Sequence, residues 1–353
     1  SRSGGAILMV GANLNIQNSQ FINCRSFSHG GAMFIQNTPT IIENTKFISC
    51  SSGGNDHGGG VFFQNTQPFI DGAVFENCRS NGNGGGLYLL DLNMATISDT
   101  KFSSCSAYFG GAINHEEGLF FNLTGISTSS CSAKVQGGAV FIRTIRNMVR
   151  VSDSSFKNNY ADDKGGGMYV DSYTNLMIDS TYIMNNSALR GGGLYVDRKN
   201  EVVLFNTTFS NNKADSGGAI YSFDANAIEI GGCEYSNNSA DSDGGAIYLA
   251  RKHNLLSITS LEEHQNFQKV ETAHPYTITD VNKNYSVDSD QDAIANIVYF
   301  HYETNLLNND EVRLRVGDDE RVYQESFFPG VDRIADRFKS ISISMSMSKC
   351  MSI

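Results

Sequence analysis

The sequence of 353 residues has no tryptophan, only 4 prolines and no apolar run of about 18 residues, the length that a membrane-spanning helix needs. Positive charge is scarce: 26 Lys and Arg stand against 37 Asp and Glu, for a net charge of −11. Because phosphate binding needs concentrated positive charge, nucleic acid is disfavoured as a partner. The 7 cysteines contain no Cys-x-x-Cys spacing, which disfavours zinc, and the 35 glycines lack the three-residue period of collagen.

What the sequence does have is a repeat of 26–28 residues. Its motif is Gly-Gly, then Ala or Gly, then an aliphatic residue. The motif begins at Gly4, Gly30, Gly58, Gly84, Gly110, Gly137, Gly165, Gly191, Gly217 and Gly244. Self-similarity at a fixed period indicates a repeat architecture.

Four further columns appear when the copies are aligned. The fourth motif position is aliphatic in Ile7, Met33, Val61, Leu87, Ile113, Val140, Met168, Leu194, Ile220 and Ile247. A later aliphatic column holds Ile16, Ile42, Ile70, Ile97, Leu123, Val151, Met177, Leu204 and Ile230. Two residues on, only Asn, Asp or Gly occurs: Asn18, Asn44, Gly72, Asp99, Gly125, Asp153, Asp179, Asn206 and Gly232. Three residues further is an aromatic column of Phe21, Phe47, Phe75, Phe102, Phe156, Tyr182, Phe209 and Tyr235, with Thr128 as the exception.

These columns predict an all-β fold. Each copy has three short apolar stretches separated by residues that tolerate a left-handed backbone, and none has the longer amphipathic pattern of a helix. A propeller blade needs a longer unit, and the leucine-rich consensus is absent. We therefore predict a right-handed, single-stranded parallel β-helix of nine to ten coils, stacked about 4.8 Å apart.

The repeat resembles that of the polymorphic outer membrane proteins, which are chlamydial surface autotransporters; similar repeats occur in large surface proteins of ciliates and other protists. The resemblance rests on Gly-Gly-Ala-Ile at 217–220 and 244–247, and on Phe-x-x-Asn at 156–159 and 209–212. It covers about residues 4–250. It implies a pectin-lyase-like parallel β-helix, surface display and adhesion.

One column changes its residue type along the chain. Three residues after the aromatic column stand Cys24, Cys50, Cys78, Cys105 and Cys131, followed by Asn159, Asn185, Asn212 and Asn238. The asparagines predict an inward ladder of amides, each bonded to the next. For the cysteines two interpretations stay open: small buried thiols, or disulfides between neighbouring coils if the chain matures in an oxidising compartment.

The fifth motif position carries an aromatic stripe. It consists of Phe34, Phe62, Tyr88, Phe141, Tyr169, Tyr195, Tyr221 and Tyr248, with Leu8 and Asn114 as exceptions. Strand side chains alternate between faces, so the stripe should point outward if the fourth position points inward. Stacked rings that stabilise neighbouring coils, an exposed interaction face for a partner, and the opposite phase with the rings inward are the three interpretations.

The sequence offers few candidate binding and modification sites. Sequons predict glycosylation at Asn284, Asn122, Asn206 and Asn237, but not at Asn185, which stands in the inward column. Asp162, Asp215 and Asp241 recur before the Gly-Gly corner and are weak calcium candidates; no other cofactor is expected. The stretch with Asn114, His115, Phe121, Asn122 and Thr128 breaks the repeat, but no recognisable pattern of a polysaccharide-cleaving enzyme is present.

The repeat stops after Leu249, which divides the chain into a β-helix at 1–253 and a β-rich C-terminal domain or cap at 254–353. The cap is predicted from an alternating run at 312–316, a turn at 317–319 and a second run at 321–323, and from a Ser-alternating run at 341–347. The chain begins inside a repeat, so we expect it to be part of something longer.

The predicted function is a non-catalytic structural or adhesive module, extracellular or at the cell surface. Its expected partners are surface or matrix proteins, copies of itself, or glycans, with membrane contact only through other parts of the protein. The alternatives are a polysaccharide-active enzyme and a carbohydrate-binding module.

Overall fold

The computed structural model describes residues 3–250 and, beyond them, the strand segments 255–259, 262–264, 267–268, 298–301, 311–316 and 319–324. Every regular element in these ranges is a β-strand. Strands of successive repeats pair in parallel and in register, as in Ile7↔Met33 and Met33↔Val61. The described chain is therefore a parallel β-solenoid of about nine turns, as the sequence predicted.

The first and second strands of each coil form one sheet, which we call sheet 1. The first strands are Ile7–Val10, Met33–Gln36, Val61–Gln64, Met168–Val170, Leu194–Val196, Ile220–Phe223 and Ile247–Ala250. The second strands are Leu14–Gln17, Thr40–Glu43, Pro68–Asp71, Asn175–Asp179, Glu201–Phe205, Ala227–Gly231 and Leu255–Thr259. In three middle coils the two merge into the long strands Leu87–Ser98, Ile113–Thr124 and Val140–Ser152.

The third and fourth strands complete each coil. Sheet 2 contains Gln20–Ile22, Lys46–Ile48, Val74–Glu76, Lys101–Ser103, Ser127–Ser129, Ser155–Lys157, Tyr182–Met184, Thr208–Ser210, Glu234–Ser236 and Glu262–His264. Sheet 3 contains Arg25–Ser26, Ser51–Ser52, Arg79–Ser80, Ser106–Phe109, Ser132–Gln136 and Tyr160–Ala161, then Lys213–Ser216, Ser239–Asp243 and Phe267–Gln268. Between these two groups only single bridges at Ser187 and Arg190 continue the pairing.

The Gly-Gly corner has two separate steric requirements. Gly30 has a φ of +66°, a left-handed conformation that a side chain disfavours. Gly31 next to it lies against the following coil, where a Cβ atom would collide with the carbonyl oxygen of Gly59. The first glycine is thus needed for backbone conformation and the second for the close stacking of coils.

The other corners use left-handed residues with side chains. Asn18 and Asn44 turn the chain between the second and third strands, and Asn23 turns it between the third and fourth, with φ values of 47°, 47° and 54°. Asn and Asp tolerate this region better than other side chains do. This explains the Asn/Asp/Gly column that the sequence shows.

One coil is displaced by a residue from our sequence alignment. The structure pairs Val151 with Ile178 and Phe156 with Ile183, so Met177 and Tyr182 do not belong to the buried columns. The left-handed corner is correspondingly Ser180 rather than Asp179. The alignment was wrong here because this coil, between glycine pairs 26 residues apart, has Ile183 where most other coils have an aromatic residue, and Tyr182 stands next to it.

The predicted domain boundary at 254 falls inside a coil. Strand Leu255–Thr259 pairs in parallel with Ala227–Gly231, and Glu262–His264 pairs with Glu234–Ser236. The tenth coil, which begins at the Gly244 corner, is therefore continued by residues up to Gln268. The β-helix pairing does not end at residue 253.

Further strands pair onto this end. Val298–His301 pairs in parallel with Ile247–Ala250, and Glu311–Val316 pairs in parallel with residues 255–258. Glu311–Val316 also pairs antiparallel with Asp319–Gln324, which confirms the predicted hairpin. The alternating run at 341–347 lies outside the described residues, and a separate cap domain stays a prediction.

Candidate functional site

The cysteine column lines the interior as free thiols. Cys50, Cys78, Cys105 and Cys131 are buried and Cys24 is half-buried. Each buried thiol donates to a carbonyl of the preceding coil, as Cys78 Sγ does to Phe47 O at 3.3 Å. Burial, reinforced by the neighbouring thiols, raises the pKa of Cys105 well above its usual range. The structure therefore contains the buried thiols of the first interpretation and none of the disulfides of the second among the described residues.

The asparagine column forms the inward amide ladder, with one correction. Its members are Asn159, Asn186, Asn212 and Asn238, each buried. Asn186 Nδ2 donates to Asn212 Oδ1 at 3.1 Å, and Asn212 Nδ2 donates to Asn238 Oδ1 at 3.0 Å. Asn185, which the sequence alignment placed in the ladder, is an exposed left-handed corner residue with a φ of 54°.

Thr128 marks the junction of the two ladders. Asn159 Nδ2 donates to Thr128 Oγ1 at 3.0 Å, whereas the next amide, Asn186 Nδ2, donates to the Phe156 carbonyl at 2.9 Å. Thr128 is buried and stands where the flanking coils have Phe102 and Phe156. At this position a threonine replaces the aromatic ring, and its hydroxyl gives the first amide of the asparagine ladder a buried hydrogen-bond acceptor.

The aromatic stripe, for which an exposed interaction face was one of three interpretations, is buried. Its members apart from the half-buried Phe34 are at most 8% exposed. The rings stack with centroids 5.0 Å apart between Phe141 and Tyr169, and again between Tyr195 and Tyr221. From Phe141 to Tyr248 they form a cluster separate from the interior core, which fits the outward phase. The prediction of an exposed interaction face is wrong, and stacking between coils is what the rings provide.

In several coils the residue before the Gly-Gly pair covers these rings. We call these residues the cover column; it includes His29, His57, Asn83, Phe109, Lys164 and Arg190. The His57 ring stacks on Tyr88 at 4.5 Å, the Phe109 ring lies 5.0 Å from Phe141, and Lys164 Nζ lies 4.7 Å from the Tyr195 ring centre. The alternation rule describes one strand and does not account for this second layer.

His115 cannot act as a surface base. Its strand register places it between Leu89 and Ile142, on the interior face. The imidazole is fully buried, packs edge-on against Phe121 at 4.6 Å, and has no hydrogen-bond partner within the described chain. Burial lowers its pKa to about 3, so it is neutral at physiological pH. Phe121 is likewise a core residue.

Asn114 differs from His115 because it faces outward. It takes the place of a ring between Tyr88 and Phe141. The residue is fully buried, and neither Nδ2 nor Oδ1 has a partner within the described residues. An uncompensated buried amide is uncommon in native proteins and calls for an explanation.

The remaining predicted residues are dispersed. The calcium candidates Asp162, Asp215 and Asp241 are exposed, and the described residues contain no group of three or more His, Cys, Asp or Glu that could hold a metal. Asn206 and Asn237 are exposed and Asn122 is half-buried, while Asn284 lies outside the described residues. Glycosylation and calcium binding stay predictions.

A set of charged residues that the sequence analysis missed lies two positions after the aromatic stripe, on the same face of sheet 1. We call Glu116, Arg143, Asp171 and Asp197 the polar strip. They follow one another on four successive coils: Glu116 pairs with Arg143, and the amides of Asp171 and Asp197 donate to carbonyls of the preceding coils. Earlier coils have Gln36 and Gln64 at this position, so the strip is confined to the middle of the rod.

The strip is held by ion pairs and hydrogen bonds. Arg143 bridges two carboxylates, with Nη1 3.5 Å from Glu116 Oε2 and Nε 3.0 Å from Asp171 Oδ2. The Tyr169 hydroxyl donates to Asp197 Oδ2 at 2.9 Å. Burial lowers the pKa of Lys164, opposed by the charge of Asp197. Burial, reinforced by Asp171 and Asp197, raises the pKa of Tyr169, so its hydroxyl stays protonated.

The strip could have been found from the sequence. Reading the seventh motif position down the repeats gives Gln, Gln, Leu, Glu, Arg, Asp, Asp and Phe from residue 36 to residue 223. The column is less conspicuous than the acidic residues before the Gly-Gly corner. Those recur on many coils, whereas the strip occurs once.

Comparison with known proteins supports the fold and goes no further. A family model described as "Right handed beta helix region" matches residues 95–260. No curated protein and no solved structure matched the chain. Within the described residues, no helix is long and apolar enough to cross a membrane.

Proposed function

We propose that this chain is a non-catalytic structural or adhesive module that acts at the cell surface or outside the cell. The main observation in favour is the regular stack: the same Gly-Gly corner recurs from Gly4 to Gly244, and the first strands pair in parallel from coil to coil. Such an extended rod presents long, regular surfaces to partners. Its expected partners are surface or matrix proteins, other copies of the chain, or glycans.

The placement of the candidate catalytic residue also favours a non-catalytic role. A general base must come within hydrogen-bond distance of its substrate, and the fully buried His115 imidazole is out of reach. The polar strip does bring carboxylates together, but Arg143 pairs with two of them.

Two measurements test the proposal. Antibody labelling of intact and permeabilised cells of the source organism should give equal signals if the module is displayed outside. Incubation of the protein with linear polysaccharides should release no reducing ends. Labelling only after permeabilisation would contradict the location, and sugar release by the wild type that is lost in an Asp171→Asn variant would contradict the non-catalytic role.

A further inference from the structure

We propose that the polar strip is a binding site for a linear, electrically neutral oligosaccharide that lies along the rod. The inference concerns the ligand and its place on the rod. It holds whether or not the chain is displayed at a surface.

The first argument is that charged residues occur in this column on four consecutive coils and on no other coil between residues 4 and 250. Glu116, Arg143, Asp171 and Asp197 occupy four consecutive coils, while the same column holds Gln36 and Gln64 nearer the N-terminus. Coils are spaced about 4.8 Å apart, so the strip is a line of polar groups some 15 Å long. A line of groups along the rod suits an extended ligand.

The second argument is the balance of charge. Glu116, Asp171 and Asp197 are opposed by Arg143, by Lys164 and by Arg198, whose Nε lies 4.0 Å from Asp197 Oδ1. Three carboxylates face three cations, which leaves no net charge to attract a metal ion, an acidic polymer or a basic peptide. Carboxylate and guanidinium groups still accept and donate hydrogen bonds in pairs, which matches the hydroxyl groups of a neutral sugar.

The third argument is the buried amide of Asn114. Asn114 is two residues before Glu116 on the same strand and faces the same side, and neither amide atom has a partner. Asn83, in the cover column, donates to Glu116 Oε1 at 3.1 Å, so polar groups surround this end of the strip. Because the amide is fully buried, a water shared with a bound ligand, and not the ligand itself, supplies the partner that the amide lacks.

The fourth argument is an exposed aromatic ring beside the strip. Tyr173 is two residues after Asp171, 63% exposed, in a left-handed conformation with a φ of 63°. Lys199 Nζ donates to its hydroxyl at 3.2 Å and lies 5.2 Å from its ring centre. The left-handed corner recurs on neighbouring coils, for example at Thr144 and Lys199, but here it presents an exposed ring, which offers an apolar platform for the face of a sugar.

An extended peptide is a poorer ligand. Peptides that add to sheets need unpaired backbone groups, and the first strands here already pair with coils on both sides, as Leu194–Val196 does with Met168–Val170 and Ile220–Phe223. The strip therefore offers side chains only. Because only side chains are available for contact, a hydroxyl-rich oligosaccharide is favoured over an extended peptide.

The test is isothermal titration of the full chain with linear hexamers of glucose, mannose, xylose and N-acetylglucosamine, all β-linked and neutral. Hexagalacturonate and hexaglucosamine serve as acidic and basic probes. We expect at least one neutral hexamer to bind, and the double variant Asp171→Asn, Asp197→Asn to weaken it by at least about tenfold. The double variant Gln36→Ala, Gln64→Ala, on the same column outside the strip, should bind like the wild type.

A second variant separates binding from folding. Tyr173→Gly removes the exposed ring and keeps a residue that accepts its left-handed backbone, so it should fold normally and still weaken binding. Melting curves of all variants accompany the titrations. The proposal fails if no neutral hexamer binds, if the acidic or basic hexamer binds more tightly, or if the Tyr173→Gly variant binds as the wild type does.

Discussion

At the scale of single residues, one interior position accepts either a thiol or an amide. Cys131 Sγ donates to Phe102 O, and Asn186 Nδ2 donates to Phe156 O, so both side chains satisfy a carbonyl of the preceding coil. The amide also accepts, because Asn186 Oδ1 receives Asn159 Nδ2 at 3.0 Å. The amide half of the rod is therefore linked from coil to coil by side chains, which thiols do more weakly.

Replacing Asn186 with Leu should destabilise the protein strongly. The change removes the acceptor for Asn159 N and Asn159 Nδ2 and the donor to Phe156 O. Each buried group left without a partner costs about 1–3 kcal/mol. Urea denaturation measures the loss.

Asn185 provides the control for the ladder. It is exposed with a φ of 54°, so Asn185→Gly keeps the corner and should change the unfolding free energy by less than about 0.5 kcal/mol. If Asn185→Gly were the more damaging of the two changes, the ladder assignment would be wrong.

His115 should make the protein sensitive to acid. Its pKa of about 3 in the folded state lies below the value of 6.5 expected in the unfolded chain. Below pH 6.5 the unfolded chain therefore binds a proton that the folded chain does not. The contribution of the neutral His115 to the free energy of unfolding is fully present above pH 6.5. It is lost as the pH falls toward 3, by up to about 1.4 kcal/mol per pH unit.

The variant His115→Leu tests this directly. Leucine matches Leu89 and Ile142 in the same column and removes two buried nitrogens without partners, so the variant should be more stable at pH 7. Urea denaturation at pH 7.5, 6 and 5 should also show a shallower loss toward acid. Some loss remains because burial lowers the pKa of His57 to about 4 as well. Identical pH profiles for variant and wild type would show that His115 is not buried as neutral imidazole.

At the scale of the coil elements, the sequence predicted strands and corners well and the layers around them poorly. The Gly-Gly motif and the Asn/Asp/Gly column specify backbone conformation directly, and both were placed correctly except in the coil with Ile183. The cover column was missed because His29, His57, Phe109 and Lys164 share no chemical type. Their common role, covering rings of the aromatic stripe, depends on position in three dimensions. The polar strip, by contrast, is visible as a column in the sequence, but it occurs once and is less conspicuous than the recurring acidic residues before the Gly-Gly corner.

Tyr182 and Tyr195, on neighbouring coils, test which residues belong to the buried columns. Tyr195 is 2% exposed and stacks between Tyr169 and Tyr221, so Tyr195→Ala should cost about 3 kcal/mol or more. Tyr182 is 54% exposed and adjacent to the buried Ile183, so Tyr182→Ala should cost less than about 0.5 kcal/mol. Urea denaturation of both variants gives the comparison. Similar losses for the two would support the original alignment, with Tyr182 in the core.

At the scale of the whole molecule, each coil depends on its neighbours. In a stacked repeat protein, stability is roughly the sum of the coils and of the interfaces between them, and an uncovered end exposes apolar surface and unpaired strands. The strands after Ala250 cover residues that are otherwise at the end: Ile228 pairs with Leu256 and Ile230 pairs with Ile258. The tenth coil is thus structurally part of the rod: its sequence keeps Ile258 in the aliphatic column but lacks the Asn/Asp/Gly and aromatic columns.

Two truncated chains measure what the tenth coil contributes. A chain that ends at Gln268 keeps the strands Leu255–Thr259, Glu262–His264 and Phe267–Gln268, and a chain that ends at Ala250 loses all three. Both lack the strands from Val298 onward, so the comparison isolates the coil. Losing it uncovers the strand Ala227–Gly231 and the third strand Glu234–Ser236, whose partners are removed. The shorter chain should therefore melt several degrees lower and aggregate more readily, since about 1 kcal/mol corresponds to roughly 2–4 °C in a domain of this size. Equal melting temperatures would instead place the end of the β-helix at residue 253, where the sequence repeat suggested it.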